Sequence, residues 1–266
     1  MLYKIGIWLY TAWALFVFGI FLAFALPWAR FTALWWGERR GLPYLLRYCQ
    51  FWAKTWAWLI GLRFVVRNRE LLDPKQQYVF VPNHTANGDT FVMIAALNHV
   101  FTALGKKEVG GMPLMGYLFR RVCVLVDRKD TADRRRSVEE LKKRAGYGVS
   151  VLLFPEGTFP SQPDVLLLPF HSGAFRVAIE LQLPIVPIVL TNARQMFSNH
   201  KLPLRPCTIT CIYTPPIDTA GMGEADIPLL KEQVYQRIAA MVLEHEPLFN
   251  GTRPNPHWTQ VPNSIS

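Results

Sequence analysis

The chain has 266 residues, a formal net charge of +10 and a hydrophobic content of 51%. So basic and so hydrophobic a composition is unusual for a soluble protein, and it indicates an anionic membrane surface or an anionic substrate. The four cysteines show no metal-ligand spacing with histidines, so the sequence favours buried free thiols over a metal centre or a disulfide framework. The length allows one large domain or two modest ones.

The N-terminal region is predicted to hold two membrane-seated helices. Ile5–Ala29 contains no charged side chain, and this run exceeds the roughly 20 residues that cross a hydrocarbon core. A secretory signal peptide fits less well, because its apolar part is shorter and ends at a small-residue cleavage site. A second helix is predicted over Leu42–Leu62, with a narrow polar stripe on an aromatic surface. We expect residues 1–62 to anchor the protein, with the first helix either spanning the bilayer or entering one leaflet.

From Arg63 onward, short apolar runs alternate with helical patterns. This alternation predicts an α/β domain with a mixed, mostly parallel sheet flanked by helices. The predicted strands are Phe64–Val66, Tyr78–Val81, Phe101–Leu104, Cys123–Val126, Val151–Phe154, Ile185–Leu190 and Thr208–Tyr213. The predicted helices are Thr90–Asn98, Leu114–Arg121, Ala132–Ala145, Gly173–Leu181 and Asp226–His245. We expect the domain to cover residues 63–246, and residues 247–266 to form a loose tail.

A histidine and an aspartate stand five residues apart after the second predicted strand. His84 lies on the loop that leaves this strand, and Asp89 lies in the first turn of the next helix. A carboxylate there can accept the imidazole N–H, fix the tautomer and stabilise the imidazolium that forms when the other nitrogen takes a proton. A simpler interpretation makes His84 part of a turn and Asp89 a helix cap. A pair without a protein nucleophile suits an enzyme that activates the hydroxyl of its substrate.

Two further strand ends carry side chains suited to binding. Arg128 follows the fourth predicted strand, where a guanidinium can form a bidentate pair with a phosphate. Glu156, Gly157 and Thr158 follow the fifth, where the glycine lets the backbone approach a ligand and the polar side chains can hold a hydroxyl-bearing substrate. Each motif alone is explained more simply, the first as a surface ion pair and the second as an acidic turn.

Taken in order, these segments resemble the glycerolipid acyltransferase family. The resemblance covers about residues 64 to 190, and its specificity lies in the ordered set and not in any single motif. The matching positions are His84, Asp89, Lys107-Glu108, Pro113, Gly116, Val126-Asp127-Arg128, Phe154-Pro155-Glu156-Gly157-Thr158, Pro169-Phe170, Gly173-Ala174 and Pro184-Ile185-Val186-Pro187.

The resemblance implies an enzyme that transfers a fatty acyl group from a thioester to the free hydroxyl of a lysolipid. The favoured acceptor is 1-acylglycerol-3-phosphate, which gives phosphatidic acid. The donor is an acyl-CoA or an acyl carrier protein, and we expect no metal, no cofactor and no nucleic-acid partner. The resemblance implies His84 as general base oriented by Asp89. Its implied substrate-binding residues are Lys107, Arg128, Glu156, Gly157 and Thr158.

The expected location is the membrane, with the catalytic domain on the cytoplasmic face of the inner membrane. Arg30, Arg39 and Arg40 follow the first apolar segment, and such an excess of cations favours the cytoplasmic side if that segment spans. The basic groups of the chain would then hold the domain against anionic lipid.

One position departs from the family pattern. The family usually has arginine immediately after the Glu-Gly-Thr triplet, where it helps to bind the acceptor phosphate, whereas this chain has Phe159. Arg128 remains, so a phosphate acceptor is still favoured, but a lyso-aminolipid or a lysophospholipid is the alternative. The candidate replacements for the missing arginine are the cations Lys106, Lys107, Arg176 and Arg194.

A different class of enzyme is also compatible with a histidine–aspartate pair. A membrane lysophospholipid hydrolase would use the same pair with a serine nucleophile. The sequence contains no Gly-x-Ser-x-Gly elbow, and Ser172 in His171-Ser172-Gly173 is the nearest imitation. This absence favours transfer over hydrolysis.

Overall fold

The computed structural model describes residues 2–86, 88–160, 165–198 and 201–246. Its first element, α1, runs over Leu2–Leu59 and is broken at Gly37, where φ is +65° and ψ is −178°. That conformation is open essentially to glycine alone, so the chain reverses there into two antiparallel arms. The arms cross closely beside the break, since a Cβ on Gly41 would lie 2.4 Å from the Thr32 carbonyl oxygen. The two predicted helices therefore form one hairpin, in which the first continues to the break at Gly37 and the second ends at Leu59 and not at the predicted Leu62.

The hairpin lies along the rest of the protein and contacts it at both ends. Near its open end, the Leu204 N–H donates to the Thr11 hydroxyl at 3.1 Å. At its closed end, Lys143 donates to the Glu38 carboxylate at 2.8 Å. Among the described residues, α1 is the one helix long and apolar enough to cross a membrane. Its outward face exposes Trp8, Trp13, Phe16, Phe24, Phe31, Leu34, Trp35, Phe51 and Trp58.

The strands of the domain form one large sheet and one small ribbon. The strands are β1 Arg63–Arg67, β2 Val79–Pro82, β3 Phe101–Lys106, β4 Cys123–Val126, β5 Ser150–Leu152, β6 Ile185–Thr191, β7 Phe197–Ser198, β8 Lys201–Leu204 and β9 Thr208–Tyr213. The large sheet has the order β1-β9-β6-β2-β5-β3-β4, and β7 pairs with β8. Neighbours in the large sheet are parallel except β6 and β9, which are antiparallel. Both central strands, β2 and β6, are buried throughout, which explains their uninterrupted apolar sequence.

Helices cover both faces of the large sheet. They are α2 Asp89–Ala96, α3 Met115–Val122, α4 Thr131–Ala145, α5 Gly173–Leu181 and α6 Ile227–His245. On one face, Phe80 of β2 packs in a core with Trp56 of α1 and Met93 of α2. On the other face, Val79 and Val81 pack with side chains of α4, α5 and α6. The alternation along β2 therefore divides the protein into three layers.

The predicted fold class is confirmed, as a mixed, mostly parallel sheet flanked by helices and preceded by a helical pair. Each predicted strand and helix of the domain is present with ends within two residues of the prediction. The β7–β8 ribbon was not predicted, because its strands are too short to show a periodic pattern. The predicted loose tail, residues 247–266, lies outside the described residues.

Candidate active site

The sequence motifs meet at one edge of the sheet because their strands are parallel neighbours. His84 follows β2, Glu156 follows β5, Lys107 follows β3 and Arg128 follows β4. These four strands lie side by side in the order β2-β5-β3-β4 and point in the same direction. The carboxyl edge of such a sheet is the usual place for a ligand site.

The His84–Asp89 pair is formed, and the aspartate is surrounded by donors. The Nδ1 of His84 lies 2.8 Å from Oδ2 of Asp89, whose side chain is fully buried. The same oxygen accepts the backbone N–H groups of Thr85 and Ala86, and the Thr85 hydroxyl donates to Oδ1 at 3.0 Å. Because Oδ2 of Asp89 accepts a hydrogen bond from Nδ1, this nitrogen carries the proton of the neutral imidazole of His84. The Nε2 of His84 is then the nitrogen able to accept a proton.

Glu156 holds the histidine loop from the opposite side. Its carboxylate accepts the backbone N–H of His84 at 2.7 Å and that of Leu168 at 2.7 Å. Burial raises the pKa of Glu156 to about 8, against the opposing effect of these two N–H donors. Both carboxylate oxygens are thus engaged by the protein itself. The structure therefore places the predicted substrate ligand Glu156 behind His84 as a support of its backbone.

Two aromatic rings enclose the imidazole of His84. Phe154 stacks on it with ring centroids 4.2 Å apart, and Phe159 meets it edge to face at 5.3 Å. The imidazole is only 16% exposed. Phe159, which departs from the family pattern, therefore contacts the proposed base directly. A ring there limits the access of water to His84.

Gly157 separates two cationic or potentially cationic side chains. It has φ of +68°, and the Nη1 of Arg128 donates to its carbonyl oxygen. A Cβ on Gly157 would lie 3.1 Å from Cδ2 of His171 and 3.6 Å from Nη1 of Arg128. His171 was not predicted as a site residue, because a single histidine before a helix carries no distinctive spacing. Its backbone N–H donates to the Pro155 carbonyl at 2.8 Å.

The other predicted binding residues lie at the margin of this group. Lys107 pairs with Asp127 at 3.8 Å, and both side chains are well exposed. Thr158 is exposed on the same loop as Gly157. Of the cations considered as replacements for the missing arginine, Arg176 pairs with Glu224 at 3.0 Å on the surface. The charge of Arg194 acts to lower the pKa of Glu156, so it lies near that carboxylate.

An apolar cavity of about 350 Å³ opens between the hairpin and the sheet domain. Gly88 and Thr90, the chain neighbours of Asp89, belong to its wall, so the cavity reaches the start of α2. Its remaining walls come from both parts of the chain, with Phe18, Trp56, Phe91 and Leu118 among them. The cavity fits a hydrocarbon chain that ends at the start of α2.

Asn83 is a further residue that the sequence motifs did not single out. Its amide donates to the Leu190 carbonyl at 3.1 Å and accepts the Leu190 N–H at 2.7 Å. This paired contact continues the β2–β6 ladder beyond Pro82 and fixes the start of the histidine loop. Its position directly before His84 was the one available signal, and a buried backbone contact of this kind cannot be inferred from position alone.

Two alternative chemistries would need side chains other than the His84–Asp89 pair. Within the described ranges, the hydrogen bonds found for His84 run to the carboxylates of Asp89 and Glu156. Ser172 occupies the N-cap position of α5 and not a strand-to-helix elbow. In the same part of the chain, no cluster of three or more His, Cys, Asp or Glu side chains could hold a metal ion.

Comparison with known proteins agrees with the fold and with the resemblance found in the motifs. Residues 63–191 match the sequence model of the acyltransferase family. The chain is 31% identical over 191 residues to the human 1-acyl-sn-glycerol-3-phosphate acyltransferase alpha, a match that covers 70% of this chain and 66% of that protein. It is 29% identical over 194 residues to a 1-acyl-sn-glycerol-3-phosphate acyltransferase of Cocos nucifera, covering 71% and 60%. The chain thus spans less than two thirds of the length of these relatives.

A solved structure extends the likeness to the whole fold. The crystal structure of the 1-acyl-sn-glycerophosphate (LPA) acyltransferase PlsC from Thermotoga maritima superposes with a TM-score of 0.74 at 20% sequence identity. That likeness covers 91% of this chain and 96% of the other. Residues 63–191 thus match the acyltransferase family in sequence, as the resemblance in the motifs predicted, and the chain shares the fold of this solved structure.

Proposed function

We propose that the protein transfers a fatty acyl group from a thioester to the free hydroxyl of a lysolipid, with 1-acylglycerol-3-phosphate as acceptor and phosphatidic acid as product. The observation that carries this proposal is the ordered His84–Asp89 pair, with an apolar cavity opening at the chain neighbours of Asp89, Gly88 and Thr90. The relatives named above act, by their names, on 1-acyl-sn-glycerol-3-phosphate. The acyl donor is an acyl-CoA or an acyl carrier protein, and neither a metal nor another cofactor takes part.

In the proposed reaction, His84 acts as general base. Its Nε2 removes the proton from the acceptor hydroxyl as the oxygen attacks the thioester carbonyl. The Asp89 carboxylate, 2.8 Å from Nδ1, stabilises the imidazolium that forms. When the tetrahedral intermediate collapses, the C–S bond breaks and the thiolate takes the proton from His84. No covalent acyl-enzyme is required, because the acceptor itself supplies the nucleophile.

The tetrahedral intermediate needs hydrogen-bond donors for its oxyanion. Backbone N–H groups near Gly157 and near Gly88 are the candidates. The Gly157 N–H donates to the Phe154 carbonyl at 3.1 Å and is thus already engaged in a turn. We therefore assign this role to the first turn of α2, which begins at Asp89 beside the cavity.

The acceptor phosphate is assigned to Arg128, with Lys107 at the outer side of the site. The aromatic Phe159 favours a second acceptor, a lysolipid without a phosphomonoester, since its ring stands edge-on to His84 where a cation would be expected. Lyso-aminolipids and lysophospholipids belong to this second group.

The hairpin supports a membrane location. Both its ends contact the domain, so it cannot extend away from the domain across a bilayer without breaking these contacts. We propose that it lies in one leaflet with its exposed aromatic face in the lipid, and that the domain rests on the cytoplasmic face of the inner membrane. The substrates would then reach the cavity from the lipid itself.

The proposal is tested with purified enzyme in detergent or vesicles. Wild type and His84→Ala are assayed with an acyl-CoA and an acyl carrier protein against 1-acylglycerol-3-phosphate, a lysophospholipid and a lyso-aminolipid. We expect transfer to 1-acylglycerol-3-phosphate and a loss of about a hundredfold or more in the variant. Transfer by wild type to another lysolipid alone would refute the acceptor and retain the reaction, whereas near-normal turnover in His84→Ala would refute the base.

A further inference from the structure

On the loop between β5 and α5, two side chains approach the backbone at Gly157, and we call the surface between their nitrogens the notch. Nε2 of His171 lies 3.4 Å and Nη1 of Arg128 lies 3.6 Å from the point that a Cβ on Gly157 would occupy. Because both nitrogens are so near one point, they lie within about 7 Å of each other. A side chain at residue 157 would crowd the His171 ring, whose Cδ2 would lie 3.1 Å from its Cβ, so glycine allows both groups to stand this close to the loop.

Two hydrogen-bond donors at this separation can hold one phosphate between them. A charge-assisted hydrogen bond to a phosphate oxygen measures about 2.7–2.9 Å, so a tetrahedral anion fits between two such groups. Both side chains are solvent-accessible, and the backbone N–H of His171 is held by the Pro155 carbonyl at 2.8 Å. The backbone of His171 is therefore fixed beside the notch, and its imidazole is accessible from the solvent.

The surroundings of the notch suit an anion. α5 begins at Gly173, two residues beyond His171, and its first turn contains no acidic side chain. A helix start of this kind adds to the positive potential set by the Arg128 guanidinium. Among the described residues, Glu108, on the segment after β3, acts by its charge on Arg128. Glu156 is buried, and both its oxygens accept backbone N–H groups.

We propose that His171 and Arg128, on either side of Gly157, bind the phosphomonoester of the acceptor, and that His171 supplies the contact that Phe159 cannot make. This inference rests on the proposed function and specifies which residues select its acceptor. His84 contacts the same loop through Glu156, Phe154 and Phe159, so the notch and the base are neighbours. A lysolipid with its phosphate in the notch presents a hydroxyl a few bonds away.

The test measures kcat and KM for 1-acylglycerol-3-phosphate in wild type, His171→Ala and His171→Lys. The control variant is His245→Ala, which changes the last residue of α6. A lost hydrogen bond to a charged group predicts a rise in KM of tenfold or more in His171→Ala, with kcat changed less than threefold. His171→Lys restores a donor and should bring KM back within about threefold of wild type. The KM for the acyl donor should not change in His171→Ala. The control variant should have the kcat and KM of wild type.

The possible failures are distinct. If wild type does not use 1-acylglycerol-3-phosphate, the proposed function is wrong and this inference falls with it. If wild type uses it and His171→Ala has a normal KM, only the inference is wrong. A fall in kcat without a change in KM, or a defect that His171→Lys does not rescue, would mean that His171 has a structural role and would also overturn the inference.

Discussion

Replacing Asp89 with asparagine should separate the electrostatic role of this residue from its structural one. The asparagine oxygen can take the place of Oδ2 and accept from His84, Thr85 and Ala86, while its amide can donate to the Thr85 hydroxyl. The variant therefore keeps each hydrogen bond and loses only the charge. Asp89→Ala, by contrast, leaves four buried donors without an acceptor and should unfold at a clearly lower temperature.

The expected loss can be worked from the 2.8 Å distance between Nδ1 and Oδ2. Two unit charges about 3 Å apart interact by roughly 5 kcal/mol at an effective dielectric constant of about 20. The neutral amide keeps part of this interaction, so the transition state should lose about 3–5 kcal/mol, or roughly 10²- to 10⁴-fold in kcat. Steady-state acyl transfer by Asp89→Asn, compared with its thermal unfolding, provides the measurement. A folded variant with more than a third of the wild-type kcat would refute the role of the charge.

Three other predictions concern the surroundings of the pair. Because the pKa of Glu156 is raised to about 8, the folded protein keeps a proton that the unfolded chain releases near pH 4.5. The free energy of unfolding should therefore fall by up to about 1.4 kcal/mol per pH unit between pH 5 and 8. Thermal unfolding of Glu156→Gln should lack this slope. Phe159→Arg should leave the KM for 1-acylglycerol-3-phosphate equal or lower, and a tenfold rise would contradict a phosphate acceptor. Deletion of residues 1–62 should release the domain from membranes or make it aggregate. In either case transfer should be abolished, because one wall of the cavity is lost. Cell fractionation with an activity assay tests this, and an active truncated enzyme would contradict it.

The fold could be predicted from sequence because its signals are local. Buried parallel strands such as β2 and β6 require uninterrupted apolar runs. Pro228, the second residue of α6, indicates where that helix begins. The hairpin was harder to predict, because its reversal depends on the backbone angles of Gly37 and not on a polar loop. Residues 31–41 are helical on both sides of that single residue.

The contacts within the site were predictable only where the two residues stand close together in a recognisable motif. His84 and Asp89 are joined by one short segment, so their spacing sufficed to predict the contact. The position of Glu156 depended on where its two acceptor oxygens point, and both meet backbone N–H groups that any sequence would offer. Asn83 and His171 contact carbonyl and N–H groups that are distant in the chain. Such contacts produce no recognisable pattern in the sequence around either residue.

The cavity has a wall from each of the two parts of the chain, with Phe18 and Trp56 on the hairpin and Phe91 and Leu118 on the domain. If the hairpin lies in the lipid and the cavity holds the acyl chain, as proposed, any tilt of the hairpin changes the width of the space that holds the substrate. Bilayer thickness would then influence which chain lengths are used. Activity against different chain lengths should therefore be compared in bilayers of defined thickness.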